Sequence, residues 1–358
     1  MAQLQLQLQP HIHRHAALQD RKSARAKTEV PERERASETQ TNYEVEAGKM
    51  AIPIFRASVS SCRPFFDTSE SQKISPFKRS RLLSCTSSEL NPLHSRSELS
   101  ICVGTHLIPH PNKVDRGGED AFFVSGYNGG VFAVADGVSG WAEQNVDPSL
   151  FSRELMANTS YLVEDEEVNY DPQILIQKAH AATSSIGSAT IIVAMLERNG
   201  TLKVASVGDC GLRIIREGRI IYSSSPQEHY FDCPYQLSSE VVTQTYLDAD
   251  VSSVEMMEGD IIVMGTDGLF DNVFDHEIVS TTARFSGAAE AAKALAKLAH
   301  DHSNDSNFDS PYSIEAREKG FDVPLWKKIL GMKLIGGKLD DITVIVGRVV
   351  SSPGMTVL

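Results

Sequence analysis

The stretch GVFAVADGVSGW, Gly130 to Trp141, carries an apolar run of strand length that stops abruptly at Asp136-Gly137. The pattern returns in DIIVMGTDGLFD, Asp260 to Asp271, where a second apolar run stops at Asp267-Gly268. An unbroken apolar run of this length reads as a strand covered on both faces. A carboxylate at its end needs a partner, because burying an unpaired charge is costly. Further β-branched runs on either side read as strands: LSICVGTHLI, DAFFVSGY, ATIIVAMLE, TLKVASVGD, GLRIIREGRIIYSS and ITVIVGRVV. Between them, DPSLFSRELMANTSYLV and DPQILIQKAHAAT each open with Asp as N-cap and Pro at the first helical position, Asp147-Pro148 and Asp171-Pro172. A second helical pair is expected from Asp275 and from Gly287. Strands in hairpin-like series, with helices in two consecutive pairs, predict sheets packed on each other with helices outside. No internal repeat is evident.

The chain has 358 residues, 41% of them hydrophobic, which suffices for a sizeable core. Its net charge of -13, from 34 basic and 47 acidic residues, disfavours nonspecific binding to nucleic acid or anionic lipid. No basic stripe interleaved with aromatics marks a nucleic-acid surface, so no nucleic-acid partner is expected. Five scattered cysteines without paired or zinc-finger spacing read as reduced thiols in an intracellular compartment. No run of about 18 apolar residues exists, so no membrane span is expected.

Residues 1–49 are polar and nearly without periodicity, and a disordered N-terminal extension is expected there. Met50 opens a Ser-rich segment, 50–98, in which Arg56, Arg63, Lys73, Lys78, Arg79 and Arg81 face only Asp67 and Glu70 up to the run's end near Ser88. That composition fits an organellar transit peptide followed by a linker; an ordinary basic linker is the alternative. A transit-like segment that starts at a methionine suggests Met50 as the working start. The folded domain is expected over 99–350, with 351–358 as a C-terminal tail.

Five acidic spots stand out in that domain: Glu119-Asp120, Asp136, Asp209, Asp267 with Asp271, and Asp340-Asp341. Taken singly, an Asp-Gly after a strand is most often a turn, Asp209 could be a hairpin turn, and Asp340 could cap the last strand. Jointly, several aspartates bordering fully apolar strands point to convergence on one edge. Converging carboxylates repel unless cations neutralise them, and a hard ion such as Mg²⁺ or Mn²⁺ is the natural one. The glycines after Asp136 and Asp267 would let the backbone turn tightly, and the Gly137 carbonyl could itself reach a metal.

In order along the chain, RGGEDAF, ADGVSG, GSAT, VGDCGLR, TDGLFDN and LDDITVIV resemble the successive motifs of the metal-dependent protein serine/threonine phosphatases of type 2C. The resemblance spans about Leu99 to Val350. It implies an α/β (α+β) fold, a four-layer αββα sandwich of two antiparallel sheets flanked by helix pairs, with a binuclear metal site in the cleft at one end. VADGVSGW, YFDCPYQLS and GFDVPLWKKILG are similar to a narrower chloroplast branch. That branch implies thylakoid phosphoprotein substrates, photosystem II core subunits, met by a monomer in the stroma at the thylakoid surface.

Carried over residue by residue, the resemblance makes Asp136 the carboxylate bridging two Mg²⁺ or Mn²⁺ ions. Gly137 and Glu119 serve one ion, and Asp267 and Asp340 the other. In some relatives a third, weaker ion uses the positions of Asp209 and Asp271. Two such ions about 3.5–4 Å apart acidify a water for in-line attack on phosphorus. Asp136, Asp267 and Arg116 are then the catalytic residues, with Arg116 clamping the phosphate oxygens.

Two departures follow. Arg116 and Asp120 have three residues between them where the family usually has four, which leaves Lys113 as an alternative cation. Val138 stands where many relatives carry a histidine regarded as the general acid, and no other histidine belongs to the motif set. A catalytically weak phosphatase-fold binding module is the competing reading; it is disfavoured because Asp136, Asp267 and Asp340 are all present. A two-metal nuclease is disfavoured by the acidic balance. His300 and His302 read as surface residues at a helix end. Trp326 and Leu330, spaced i, i+4, read as a helix face packed on the body, the alternative being a flap built with the SNDSNFDSPYS insertion.

Overall fold

The computed structural model of the chain describes residues 98–240 and 244–352. The expected N-terminal extension, nearly all of the targeting segment and residues 353–358 lie outside the described residues. Thirteen strands occur among them: β1 (Glu98–Ile108), β2 (Ala121–Ser125), β3 (Gly130–Gly137), β4 (Ser188–Leu196), β5 (Thr201–Val207), β6 (Gly211–Arg216), β7 (Arg219–Ser223), β8 (Glu228–Tyr230), β9 (Cys233–Pro234), β10 (Leu237–Ser238), β11 (Asp250–Glu255), β12 (Ile261–Gly265) and β13 (Ile342–Ser352). The helices are α1 (Pro148–Leu162), α2 (Pro172–Ala182), α3 (Asp267–Phe270), α4 (Asp275–Ala283), α5 (Ala288–Ser303), α6 (Pro311–Glu318) and α7 (Leu325–Ile329).

Alternation along β3 explains why its sequence is apolar throughout. Val131, Ala133 and Ala135 pack on one face against Phe151 and Leu155 of α1 and Leu175 and Ile176 of α2. Phe132 and Val134 point the other way, into a core shared with Leu212, Ile214, Ile262, Met264 and Ile345 of the second sheet. Val263 and Val344 leave that second sheet on its far side to meet Leu295, Ala292 and Ala296 of α5. The result is the expected αββα sandwich. One sheet runs β1-β13-β12-β6-β7; the other runs β11-β5-β4-β3-β2, with β10 beside the start of β4. Every pairing is antiparallel among the described strands.

Antiparallel register brings the acidic spots together. In one sheet Asp136, at the end of β3, lies opposite Thr190 at the start of β4, while Ala135 lies opposite Ala121 at the start of β2. In the other, Gly265 at the end of β12 lies opposite Gly211 and Val344, near the starts of β6 and β13. The two sheet ends are joined by Asp120, whose Oδ2 accepts from Thr266 Oγ1 at 2.9 Å and Thr343 Oγ1 at 2.7 Å.

The helix starts follow the sequence. Asp147 accepts from Ser149 N at 3.1 Å, and Asp171 from Gln173 N at 2.8 Å and Ile174 N at 3.3 Å, as N-caps do. Glu154 of α1 ties down the segment that leaves α2: it accepts from Ser184 N at 3.1 Å, Ser184 Oγ at 2.8 Å and Ser185 N at 2.7 Å. Burial acts to raise its carboxyl, but these bonds outweigh it and hold the group down at about 2, against an ordinary 4.5. A depressed acid stabilises the fold above its unfolded-state value and loses that contribution as pH falls through the folded one. Glu154→Gln is therefore expected to cost about 1 kcal/mol at pH 7 for a partly solvent-screened charged hydrogen-bond set. In urea titrations the gap to wild type should close between about pH 4.5 and pH 2. A gap that ignored pH would assign the loss to packing instead.

Two sequence expectations change here. Leu330, just past α7, is 69% exposed, and Leu325 and Ile329 are 78% and 85% exposed, so these three side chains are not packed on the body; the Trp326 side chain lies outside what is described. His302 is packed rather than a surface cap: its ring stacks on Phe308 with centroids 3.9 Å apart, and Nδ1 lies 2.8 Å from the Asn272 carbonyl. Among the described residues no helix is long and apolar enough to cross a membrane.

Candidate active site

Close backbone contact at the sheet ends dictates the two Asp-Gly pairs. A Cβ on Gly137 would stand 2.7 Å from the Pro148 carbonyl oxygen and 2.8 Å from that of Glu119. One on Gly268 would stand 1.9 Å from the Asp341 carbonyl oxygen. Neither glycine has a positive φ, so tight turning is not their purpose, contrary to the sequence expectation. They let the strand ends approach closely enough for carboxylates on different strands to share one space.

On one side of that space Glu119 is buried, with Oε2 accepting from Ser139 Oγ at 2.5 Å and paired with Lys113 Nζ at 2.6 Å. The Lys113 ammonium also donates to Ser139 Oγ at 2.9 Å and Asp341 Oδ2 at 3.2 Å, and lies 3.8 Å from Asp340 Oδ1. Burial alone would lower its pKa, but Asp340, Asp341 and Glu119 together raise it. Asp341 is a brace: it accepts from the backbone N–H groups of His110 at 2.7 Å and Glu119 at 2.9 Å, fastening β2 and the 3₁₀ turn Pro111–Arg116 to β13. Arg116 stays at the rim, its side chain 43% exposed, 3.5 Å from Glu119 and 3.7 Å from Asp147. The cation embedded among the carboxylates on this side is thus Lys113.

Asp136 occupies the middle. Burial drives its carboxyl far above the usual range, followed by repulsion from Asp120, Asp267, Asp340 and Asp209. Asp340 is pushed up to about 7 by burial and Asp267, with Lys338 and Lys113 opposing. On the other side, Lys338 Nζ lies 2.6 Å from Asp267 Oδ2, 2.9 Å from Asp271 Oδ2 and 3.1 Å from Asp232 Oδ1. Burial also raises Asp271, to about 7, even though Lys338 pulls the other way. Asp209 is raised by burial and by Asp267, with Lys338 again opposing. These five residues border a cleft of about 290 Å³, walled further by Phe231 and Tyr312.

The residues fit hard divalent cations. Asp120 Oδ1, Asp209 Oδ1 and Asp267 Oδ1 are buried carboxylate oxygens without a hydrogen-bond partner. An excess of carboxylates over ammonium groups is what such ions neutralise, and oxygen donors suit Mg²⁺ or Mn²⁺. Among the described residues no three acidic, imidazole or thiol groups already stand at ligating spacing around one point, and the two lysines lie between them. Cys210, beside Thr190 at 3.1 Å, is held as a thiol because burial and then Asp136 and Asp209 raise it.

The sequence-predicted residues Glu119, Asp136, Gly137, Asp267 and Asp340 thus meet at one end of the sandwich, with Asp209 and Asp271 on the Lys338 side. Sequence reading missed Lys338 and the bracing roles of Asp120 and Asp341. The signal for Lys338 was its place two residues before Asp340 in GGKLDD.

No protein-family model matches the chain. Over 303 residues it is 64% identical to "Probable protein phosphatase 2C 26" of Arabidopsis thaliana, an alignment covering 85% of this chain and 100% of that protein. It is 65% identical over 275 residues to "Probable protein phosphatase 2C 1" of Oryza sativa subsp. japonica, covering 76% and 81%. Among solved structures, the photosystem II phosphatase PBCP superposes with a TM-score of 0.68 at 67% identity, covering 70% of this chain and 98% of that one. The catalytic domain of the serine/threonine phosphatase PstP, solved with two manganese ions, superposes with a TM-score of 0.50 at 17% identity over 71% and 100%. At that identity the likeness concerns the fold alone.

Proposed function

The chain belongs to the protein phosphatase 2C family, and from that membership we propose that its cleft dephosphorylates phosphothreonine and phosphoserine on the core proteins of photosystem II. Membership makes it a Mg²⁺- or Mn²⁺-dependent protein serine/threonine phosphatase. The observation that carries the reading onto these residues is the convergence of buried, mutually repelling carboxylates at the joined sheet ends, where Asp267 Oδ1 has no hydrogen-bond partner. In the proposal the ions would be held around Asp136. The Gly137 carbonyl and Glu119 would help hold them on one side, and Asp267 and Asp340 on the other.

When bound, the ions supply Lewis acidity, sharpening water as a nucleophile and drawing charge off the phosphoryl oxygens. The protein does the placing. Asp120, fixed by Thr266 and Thr343, keeps the two sheet ends at constant separation. Ser139 and Lys113 hold the Glu119 carboxylate in one orientation. Arg116, exposed at the rim and paired at 3.5 Å with Glu119 and 3.7 Å with Asp147, would exchange those contacts for an incoming phosphate, and Lys113 adds positive potential behind it. Val138 next to Gly137 cannot donate a proton, so the departing alkoxide takes its proton from water.

The substrate and the site of action rest on the photosystem II relative and on the hydroxyl-rich, basic segment that opens at Met50. We place the enzyme in the chloroplast stroma, working on phosphorylated tails exposed at the thylakoid surface. Purified protein with Mn²⁺ is expected to release phosphate from phosphorylated photosystem II core subunits in isolated thylakoids, and a chelator should stop the release. Thylakoids from plants lacking the protein should retain those phosphates. Activity on an unrelated stromal phosphoprotein with the cores left untouched would sink the substrate assignment and leave the family activity standing.

A further inference from the structure

Lys338 is the most tightly enclosed cation in the cleft, and its surroundings differ from those of a surface lysine. Its side chain is 11% exposed. Its ammonium touches three carboxylates, Asp232 and the two that begin and end α3, Asp267 and Asp271, and the Tyr312 ring lies 5.1 Å away, offering a π face. The backbone that delivers it is clamped on both sides by Asn272, which accepts from Lys338 N at 2.9 Å and donates to Lys338 O at 2.8 Å. Asn272 is itself fully buried and donates to Gly268 O at 3.0 Å, so the clamp is anchored in α3. The residue before the lysine is pinned as well. A Cβ on Gly337 would stand 2.1 Å from the His302 carbonyl oxygen, and Gly337 N donates to Asp305 O at 3.1 Å.

The carboxylate of Asp267 is divided by this arrangement. Its Oδ2 belongs to Lys338, while its Oδ1 is buried and without a hydrogen-bond partner. Asp271 also gives its Oδ2 to the lysine. We propose that Lys338 is a resident cation of the active site: its ammonium takes the Asp271 oxygen that a third divalent ion held by Asp209 and Asp271 would need, so that the cleft binds two such ions and not three. The proposal rests on the two-ion reading above. A divalent ion entering beside Asp271 would face a fixed positive charge within one or two bond lengths of the same oxygens, and like charges at that range repel strongly in a poorly solvated site. Lys338 is then a positioning residue. It turns Asp267 so that Oδ1 is presented to the ion pair.

The test counts bound Mn²⁺ on metal-depleted full-length protein, by equilibrium dialysis and by the spin-resonance signal of the free ion. Wild type should saturate at two ions. Lys338→Met should admit a third, with affinity raised more than about tenfold over any third binding in wild type. Because Lys338→Met leaves several carboxylates uncompensated and can fail to fold, Asp271→Asn carries an independent arm. That substitution removes a charge from a repulsive cluster, and it should still leave two ions bound, since Asp271 is committed to the lysine. A third ion of equal affinity in wild type and Lys338→Met, two ions in both, or loss of an ion in Asp271→Asn would each overturn the proposal. If wild type bound no Mn²⁺ at all, the metal-centre reading itself would fall, a result distinct from those three.

Discussion

Asp136→Asn is expected to lower turnover of a phosphothreonine peptide by at least about 10³-fold, with Asp267→Asn and Asp340→Asn of similar size, because each removes charge on which the divalent centre depends. Asp136→Asn and Asp340→Asn should not weaken the metal-depleted fold, whereas Asp267→Asn should, because burial would raise the Asp267 carboxyl but Lys338, 2.6 Å away, outweighs it and holds the group below its ordinary range. Asp136 is held among Asp120, Asp267, Asp340 and Asp209, and both burial and those neighbours oppose its ionised form. An amide of the same shape relieves that opposition. The sign of the pH dependence follows. A carboxyl whose folded pKa lies above its unfolded one favours the fold when protonated, and that stability is lost as pH rises through the folded value. With Asp271 and Asp340 both pushed up to about 7, metal-depleted wild type should lose stability between about pH 4 and pH 7. Asp136→Asn should lose less, and Mn²⁺ should reverse the loss in wild type. Chemical unfolding with and without chelator, alongside a peptide assay, measures both halves. Undiminished turnover in Asp136→Asn would remove Asp136 from the centre.

How far the sequence speaks depends on how local the cause is. Strand parity is local, and the unbroken apolar runs ending at Asp136 and Asp267 correctly imply strands covered on both faces. Asp147 and Asp171 announce their helices through contacts two or three residues away. The glycines were legible as special but not for the right reason. Gly268 is demanded by the Asp341 carbonyl, which arrives from the far end of the domain, and no local pattern encodes that. The division of labour among cations is equally long-range. Lys338 finds Asp267 across 71 residues, and Asp120 finds Thr343 across 223. The motif resemblance drew attention to Arg116 and the short spacing within RGGED to Lys113 as the alternative; the 3₁₀ turn starting at Pro111 sends Lys113 inward and leaves Arg116 at the rim.

Val138→His should raise turnover of phosphothreonine peptides by about 10²-fold, the lower end of what a positioned general acid contributes, while changing p-nitrophenyl phosphate turnover far less. Leaving-group chemistry sets the contrast. A nitrophenolate departs with little need of a proton, whereas the threonine alkoxide is a strong base that must be protonated as it leaves. Val138 follows Gly137 directly and opens the 3₁₀ turn Ser139–Gln144, with its N–H donating to the Ser188 carbonyl at 3.0 Å. That bond fixes its backbone beside the carboxylates, and the next residue, Ser139, already reaches Glu119 at 2.5 Å. His110 is the imidazole whose charge is coupled to this cluster, but burial first and then Lys113 lower its pKa, outweighing Asp341 and Glu119. It is therefore neutral at pH 7 and holds no proton ready for the alkoxide, which leaves position 138 as the place where an acid would tell. A histidine introduced there should add a limb to the pH profile between about pH 6 and pH 8, activity falling as the imidazolium is lost. Equal gains on both substrates, or an unchanged pH profile, would mean that position 138 does not face the leaving group, and the proton would have to reach it from a direction this turn does not control.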